Sequence, residues 1–257
     1  MSAQMTEENL SQLKEQVYKD PRPAEHFDRF HERSRTTDPN WEYEAVRIAT
    51  TLFAWTFFRT RGIFAEKVPN SGPVILAPNH SSFMDHFFLG TSIRRKVRFM
   101  AKSQLFKPPM QFIYTHGGVF PVRRGFADEE AFITARSILD RGGVIAMYSE
   151  GGRSRTGTLS DNVRPGIGRL ALQSGAPVIP IAIHGSYRVR NWKRLQFPKV
   201  TVLYGDPIRW ERLEDPTRDQ QQHVANEIFG EVRKLYAQLD SVGRRGMVQQ
   251  RRELRRA

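Results

Sequence analysis

The chain has 257 residues, enough for one large domain, and 39% of them are hydrophobic, which excludes a wholly disordered protein. Its formal net charge of +13 indicates an anionic partner: nucleic acid, anionic lipid or a phosphorylated substrate. The lack of cysteine excludes disulfides, thiolate zinc sites and a covalent cysteine intermediate, and leaves the compartment open.

Residues 1–62 are predicted to form an N-terminal helical segment. Residues 1–16 are polar and lack the apolar stretch of a secretory signal, so we expect none. A helix is predicted at 42–61, and it contains an apolar run at 48–58. A run of this length rises about 16 Å as a helix, roughly half of a hydrocarbon core. The helix is therefore too short to span a bilayer. It either packs on the protein or lies in the membrane interface, and we favour the membrane interface.

From residue 63 onward, short apolar runs alternate with helical patterns, which predicts an α/β domain over residues 63–257. The runs predicted to form buried strands lie at 72–78, 96–102, 117–122, 143–149, 176–185 and 199–205. Helices are predicted at 84–95, 102–115, 127–140 and 165–174, and an amphipathic helix at 224–239 precedes a basic tail. Strands that are apolar throughout indicate helices on both faces of a mixed, largely parallel central sheet.

The stretch ILAPNHSSFMDHFFLG, at 75–90, places a histidine and a carboxylate between a predicted strand and a predicted helix. On one helix His80 and Asp85 would lie about 140° apart, so they meet only if His80 is on the turn and Asp85 in the first helical turn. Functional residues of an open α/β sheet lie at such a turn. Asp85 would then orient His80 and leave its second ring nitrogen free as a general base. The plainer alternative is a chance spacing, with Asp85 as a favourable charge at the helix N-terminus.

Three further polar clusters follow in chain order. Arg123 and Arg124 end the predicted strand at 117–122, where a guanidinium either clamps a phosphate or is simply solvated. The stretch YSEGGRSRTG, at 148–157, has glycines and arginines whose turn can form an anion-binding nest, although it lacks the Lys-Ser or Lys-Thr of a Walker A loop. Pro180 stands inside an apolar strand, which is tolerated only at an edge or an irregular point.

In this order the four clusters resemble the lysophosphatidic acid (1-acyl-sn-glycerol-3-phosphate) acyltransferase family of glycerolipid acyltransferases, over roughly residues 70–205. The family block N-H-x4-D is matched by Asn79, His80 and Asp85. The block G-x-F-x-x-R is matched by Gly118, Phe120 and Arg123. The block F-P-E-G-T-R-S appears as YSEGGRS, which keeps Glu150, Gly151, Arg153 and Ser154. The apolar fourth block is matched at 178–181 and includes Pro180.

The chain departs from the third block at three positions. Tyr148, Ser149 and Gly152 stand where the family usually has Phe, Pro and Thr. The lost proline and the lost hydroxyl bear on the shape of the phosphate loop and on the choice of acceptor.

The resemblance implies the glycerolipid acyltransferase fold and transfer of a fatty acyl group from an acyl thioester, acyl-CoA or acyl-carrier protein, to lysophosphatidic acid in phospholipid biosynthesis. It implies His80 as the general base with Asp85 as its orienter. The residues that it implies at the substrate phosphate are Arg123, Glu150, Gly151 and Arg153. We expect no metal and no cofactor besides the acyl donor, and we expect a peripheral or monotopic protein at the cytoplasmic face of the cell membrane.

Three alternatives remain at this point. Within the same fold and chemistry, the alternative acceptor is glycerol-3-phosphate or another lysophospholipid. Ser81 or Ser82 could act as an acyl-enzyme nucleophile, but neither lies in a G-x-S-x-G elbow. A basic nucleic-acid-binding or membrane-binding protein would explain the charge alone, but no nucleic-acid-binding motif is present, so we expect no nucleic acid partner.

Overall fold

The computed structural model describes residues 19–126, 128–154, 157–189, 195 and 197–256. In these residues a seven-stranded sheet forms the centre of the protein. Its spatial order is β1 (Arg61–Ile63), β7 (Thr201–Tyr204), β6 (Val178–His184), β2 (Val74–Pro78), β5 (Val144–Ala146), β3 (Val97–Lys102) and β4 (Val119–Val122). Neighbouring strands are parallel except β6 and β7, so the predicted mixed, largely parallel sheet is confirmed.

Strands β2 to β6 are parallel to one another and therefore all end at the same edge of the sheet, whereas β1 and β7 run in the opposite direction. We call this edge the carboxyl edge. It is where ligands bind in open α/β sheets. The short strand β1 was not predicted, because the sequence RGI has no apolar run to indicate it.

Along the described part of the chain, seven α-helices and short 3-10 turns precede, connect or follow the strands. They are α1 (Asp28–Thr36), α2 (Trp41–Phe58), α3 (Asp85–Gly90), α4 (Met110–His116), α5 (Glu129–Asp140), α6 (Gly166–Ser174) and α7 (Arg218–Leu254), with 3-10 turns at Ala24–Phe27, Ala65–Lys67 and Ser103–Leu105. Helix α7 extends well beyond the predicted 224–239, and Gly243, with φ 65°, divides it into two arms.

Three predicted helices end or begin elsewhere in the structure. The helix predicted at 102–115 begins only at Met110, because a proline at 108 and another at 109 are incompatible with a helix interior. The helix predicted at 84–95 ends at Gly90, and the Ser92 hydroxyl bonds the Leu89 carbonyl instead. The helix predicted at 42–61 ends at Phe58, because Arg59 adopts a left-handed backbone with φ 46°.

Strand β2 shows why its sequence is apolar throughout. Val74 and Leu76 pack into a cluster with Phe58 and Phe88 from α2 and α3, on one face of the sheet. The alternate residues, Ile75 and Ala77, pack into a second cluster on the other face, with residues of α5, α6 and α7. All five strand residues are buried, as expected for a strand covered on both faces.

The N-terminal helices are held to the sheet by a buried arginine. Arg98 of β3 is only 4% exposed, and it donates to the carbonyls of Gly118, Thr37 and Ser34. Ser34 belongs to α1 and Thr37 follows it, so this one side chain joins the N-terminal helical segment to the sheet.

The boundary predicted between residues 62 and 63 falls inside β1, which pairs with β7. Residues 1–18 of the predicted N-terminal segment lie outside the described residues. Within the part of the chain that is described, no helix is both long and apolar enough to cross a membrane.

Candidate active site

His80 and Asp85 meet at the carboxyl edge. His80 lies on the turn after β2, and Asp85 is the first residue of α3. His80 Nδ1 is 2.9 Å from Asp85 Oδ2, and the same oxygen accepts the backbone N–H groups of Ser81 (2.7 Å) and Ser82 (2.8 Å). Asp85 is fully buried. With the Nδ1 hydrogen donated to this carboxylate, His80 Nε2 carries the lone pair and can accept a proton.

Asn79 fixes the point at which the turn leaves the sheet. Its side-chain amide donates to the Ile183 carbonyl (3.1 Å), and its side-chain oxygen accepts the Ile183 N–H (2.6 Å). The fully buried amide thus continues the pairing of β2 with β6 by one residue. The next residue, His80, is therefore held at the end of two paired strands.

Glu150 ties the His80 turn to the loop that follows β5. Its Oε1 accepts the His80 backbone N–H (2.6 Å) and its Oε2 accepts the Ser160 N–H (3.0 Å). In the other direction the Ser154 N–H donates to the His80 carbonyl (2.8 Å). Burial raises the pKa of the Glu150 carboxyl, and the two N–H donors oppose that rise. These contacts make Glu150 a positioning residue. Its predicted contact with substrate phosphate stays a prediction.

The Tyr148 ring covers one face of the His80 imidazole. The two rings stack with centroids 4.0 Å apart and planes 23° apart. Burial, with a smaller contribution from the Asp85 charge, raises the pKa of the Tyr148 hydroxyl well above its usual value. Burial lowers the pKa of His86 to about 4; the neighbouring Asp85 charge opposes this shift, and His80 and Arg153 add to it. His86 is therefore neutral near pH 7.

Arg123 lies at the same edge but not beside His80. It follows β4, which is three strands away from β2, or about 14 Å at the usual strand spacing. Its guanidinium lies 4.2 Å from the Phe126 ring centroid, and its Nη2 donates to the Arg22 carbonyl (3.1 Å). Its Nε is buried and has no hydrogen-bond partner among the described residues. The arginine is thus held in place and retains donors for a ligand.

Gly118 and Phe120, the other two residues of the block G-x-F-x-x-R, support the fold. Gly118 has φ +77°, and a Cβ there would lie 3.0 Å from Pro39 and 3.1 Å from Arg98, so only glycine suits the position. Phe120 is fully buried in the core on the α5 side of the sheet. Both therefore place Arg123 without facing a ligand themselves.

The remaining predicted residues shape loops or strands. Gly151 turns the loop with φ +64°, where a Cβ would lie 2.8 Å from Arg164. Pro180 lies where the β6–β7 ladder has ended, and its carbonyl accepts the Gly205 N–H, which is the irregular point that a strand proline needs. Arg153, by contrast, is exposed beside the His80 turn.

Sequence reasoning missed several features of this site. The anchoring roles of Asn79 and Glu150 depend on backbone partners more than 60 residues away in the chain, which spacing does not reveal. The stacking of Tyr148 could have been suspected from an aromatic residue just before the Glu-Gly pair. Among the described residues, no group of three or more His, Asp or Glu side chains could hold a metal ion.

Comparison with known proteins shows similarity to acyltransferases. Residues 60–184 match the family model named Acyltransferase. The chain is 24% identical over 167 residues to the chloroplastic 1-acyl-sn-glycerol-3-phosphate acyltransferase BAT2 of Brassica napus, covering 63% of this chain and 46% of that protein. It is 22% identical over 209 residues to a 1-acyl-sn-glycerol-3-phosphate acyltransferase of Cocos nucifera, covering 76% and 65%. A glycerol-3-phosphate acyltransferase of Aeromonas hydrophila is 29% identical over 150 residues, covering 52% and 18%.

Among solved structures, the chain is similar to the 1-acyl-sn-glycerophosphate acyltransferase PlsC of Thermotoga maritima. The TM-score is 0.58 at 20% identity, covering 82% of this chain and 89% of that one, and at this identity the likeness is one of fold. The chain spans between 18% and 65% of the length of the curated relatives named above.

Residues 60–184 match the Acyltransferase family model, and the fold is similar to that of PlsC. The chain is similar to 1-acyl-sn-glycerol-3-phosphate acyltransferases, and it brings His80 and Asp85 together at the carboxyl edge of its sheet.

Proposed function

We propose that the protein transfers a fatty acyl group from an acyl thioester to the free hydroxyl of lysophosphatidic acid and so forms phosphatidic acid. The observation that carries this proposal is the His80–Asp85 pair. One ring nitrogen is committed to a fully buried carboxylate at 2.9 Å, and the other is left free on a partly exposed turn at the carboxyl edge. The match to the Acyltransferase family model supports the reaction class, and the similarity to the named relatives supports the acceptor class.

The proposed reaction uses His80 twice. Its Nε2 takes the proton from the acceptor hydroxyl while that oxygen attacks the thioester carbonyl carbon. The tetrahedral intermediate then collapses, the C–S bond breaks, and the departing thiolate takes the proton back. Asp85 stabilises the imidazolium that exists between the two steps, as the carboxylate of a Ser-His-Asp triad does.

A covalent acyl-serine is disfavoured by the way the turn is built. Ser82 is buried, its hydroxyl accepts the Met84 N–H (3.1 Å), and its own N–H is bonded to Asp85. The Ser82 hydroxyl is therefore engaged within the turn that precedes α3. Direct transfer also suits a chain that contains no cysteine.

The acceptor phosphate is proposed to bind the arginines of the carboxyl edge. Arg123 has a buried Nε without a partner in the described part of the chain, and Arg153 is exposed beside the His80 turn. Guanidinium groups suit phosphate oxygens because they present several donors in one plane. In this arrangement the phosphate lies between the arginines and the base, so the acceptor hydroxyl is directed to His80.

The exposed face of α2 is proposed to hold the protein on a membrane. Trp41, Ile48, Leu52 and Trp55 are each more than half exposed. Their spacing of seven, four and three residues places them on one side of the helix. Together with the net charge of +13, this stripe suits peripheral or monotopic binding to anionic lipid, at the cytoplasmic face of the cell membrane.

The experiment that tests the proposal is a substrate matrix. Purified full-length protein is incubated with palmitoyl-CoA or palmitoyl-acyl-carrier protein, and separately with lysophosphatidic acid, other lysophospholipids or glycerol-3-phosphate. Release of free thiol and formation of phosphatidic acid are expected with lysophosphatidic acid, and His80→Ala serves as the inactive control. Thiol release with glycerol-3-phosphate alone would move the assignment to the activity named for the Aeromonas hydrophila relative. No acceptor-dependent thiol release with either donor would refute the proposal.

A further inference from the structure

The hydroxyl of Tyr148 is buried at the site and unused. Its ring is stacked on His80, yet among the described residues the hydroxyl oxygen has no hydrogen-bond partner. A buried hydroxyl without a partner is unfavourable, and a phenylalanine would stack equally well without that cost. The Tyr148 hydroxyl therefore calls for a partner that the described residues do not provide.

The surroundings indicate which kind of partner suits the hydroxyl. Burial keeps the pKa of Tyr148 well above its usual value, so the group stays protonated and can donate. Asp85 contributes to that rise, so its negative charge is felt at the hydroxyl and would disfavour an anionic oxygen there. A neutral oxygen is favoured over phosphate or an oxyanion, and phosphate is already suited to the arginines.

We propose that Tyr148 is a specificity-determining residue whose hydroxyl donates a hydrogen bond to a neutral oxygen of the acceptor next to the hydroxyl that His80 deprotonates. This inference rests on the proposed function. Because the Tyr148 ring is stacked on the imidazole, with centroids 4.0 Å apart, its hydroxyl lies in the same part of the site as the base. In lysophosphatidic acid the neighbouring neutral oxygens are those of the ester on the adjacent glycerol carbon.

A site that offers a hydrogen bond to one oxygen discriminates against an acceptor that lacks it. The test therefore compares three acceptors: 1-acyl lysophosphatidic acid, its 1-alkyl ether analogue without the carbonyl, and an analogue with carbon in place of both ester oxygens. For the wild-type chain, kcat/KM should fall by about 10- to 100-fold across this series. Tyr148→Phe should lower kcat/KM for the acyl acceptor to near the value for the all-carbon analogue. For the all-carbon analogue, the same substitution should change kcat/KM by less than about twofold.

The matched control is Tyr114→Phe on α4, whose ring packs on Phe106. It should leave the acceptor ratios unchanged. The melting temperature of Tyr148→Phe should equal or exceed that of the wild type, because an unpaired buried hydroxyl is removed.

The possible outcomes separate this inference from the proposed function. Turnover by the wild type with acceptor ratios that Tyr148→Phe leaves unchanged overturns the inference alone. So does an equal loss for all three acceptors, or a lower melting temperature, since each would show that the hydroxyl supports His80 or the fold. Absence of thiol release from the wild type with every acceptor overturns the proposed function and the inference with it.

Discussion

Asp85→Asn is the substitution whose effect the structure defines most sharply. In Asp85 one oxygen, Oδ2, accepts His80 Nδ1 and the N–H groups of Ser81 and Ser82. In the asparagine variant, an amide nitrogen at the position of Oδ2 would face two backbone N–H donors. The asparagine side-chain oxygen must therefore occupy that position. His80 then keeps the same hydrogen bond and the same tautomer. What is lost is the negative charge opposite the imidazolium.

The size of the loss follows from that reading. A hydrogen bond to a charged partner contributes about 1.5–3 kcal/mol and one to a neutral partner about 0.5–1.5 kcal/mol. The difference of about 1–2 kcal/mol on the protonated intermediate lowers kcat by about 5- to 30-fold. His80→Ala removes the base itself, so its loss should be larger, about 10²- to 10⁴-fold.

The assay is steady-state thiol release with both substrates saturating, for Asp85→Asn, His80→Ala and the double variant. Because the two residues act together, the double variant should be barely worse than His80→Ala. His80→Ala should stay folded, since its contacts with Glu150 and Ser154 use backbone atoms that alanine retains. A loss in Asp85→Asn as large as in His80→Ala, with the fold intact by circular dichroism, would refute this reasoning about the amide orientation.

Three further predictions follow from the site and its surroundings. Arg123→Ala should raise the acceptor KM about 10-fold or more and leave the thioester KM nearly unchanged, with exposed Arg209→Ala as the control; equal effects on both substrates would indicate a structural arginine. The double change Leu52→Glu and Trp55→Glu should reduce sedimentation with phosphatidylglycerol vesicles without changing the melting temperature, because both side chains are exposed; unchanged sedimentation would remove α2 from the membrane contact. Since the pKa of His86 is lowered from 6.5 to about 4 in the folded state, the unfolded state binds the proton first, so stability should fall as pH drops from 6.5 towards 4; His86→Asn should flatten that fall in urea titrations, and an unchanged slope would show that other groups cause it.

The elements that sequence reasoning placed well are those with local signals. Strand β2 is apolar along its length because both its faces are covered, and the turn at His80 carries its polar residues in one short stretch. The break before α4 also had a local signal, the two adjacent prolines at 108 and 109, that the helical pattern of the surrounding residues outweighed.

The features that escaped prediction depend on distant partners. Strand β1 exists because β7 pairs with it from far along the chain. Nothing in the local sequence indicates that Arg98 is buried. Its burial is possible because its guanidinium donates to three carbonyls from other segments. The sequence predicted that Asp85 orients His80, but it did not indicate that the same oxygen also accepts the backbone N–H groups of Ser81 and Ser82.

The strand order has a consequence for folding during synthesis on the ribosome. Strand β2 lies between β5 and β6, and β1 pairs with β7, so the first two strands to be synthesised wait for neighbours made much later. Helix α2 needs only its own residues to close its hydrogen bonds. Its apolar stripe therefore emerges from the ribosome well before the sheet that places His80 can assemble, and contacts of such high sequence separation form slowly. If α2 contacts a membrane as proposed, the nascent chain can reach the lipid surface before its active site has formed.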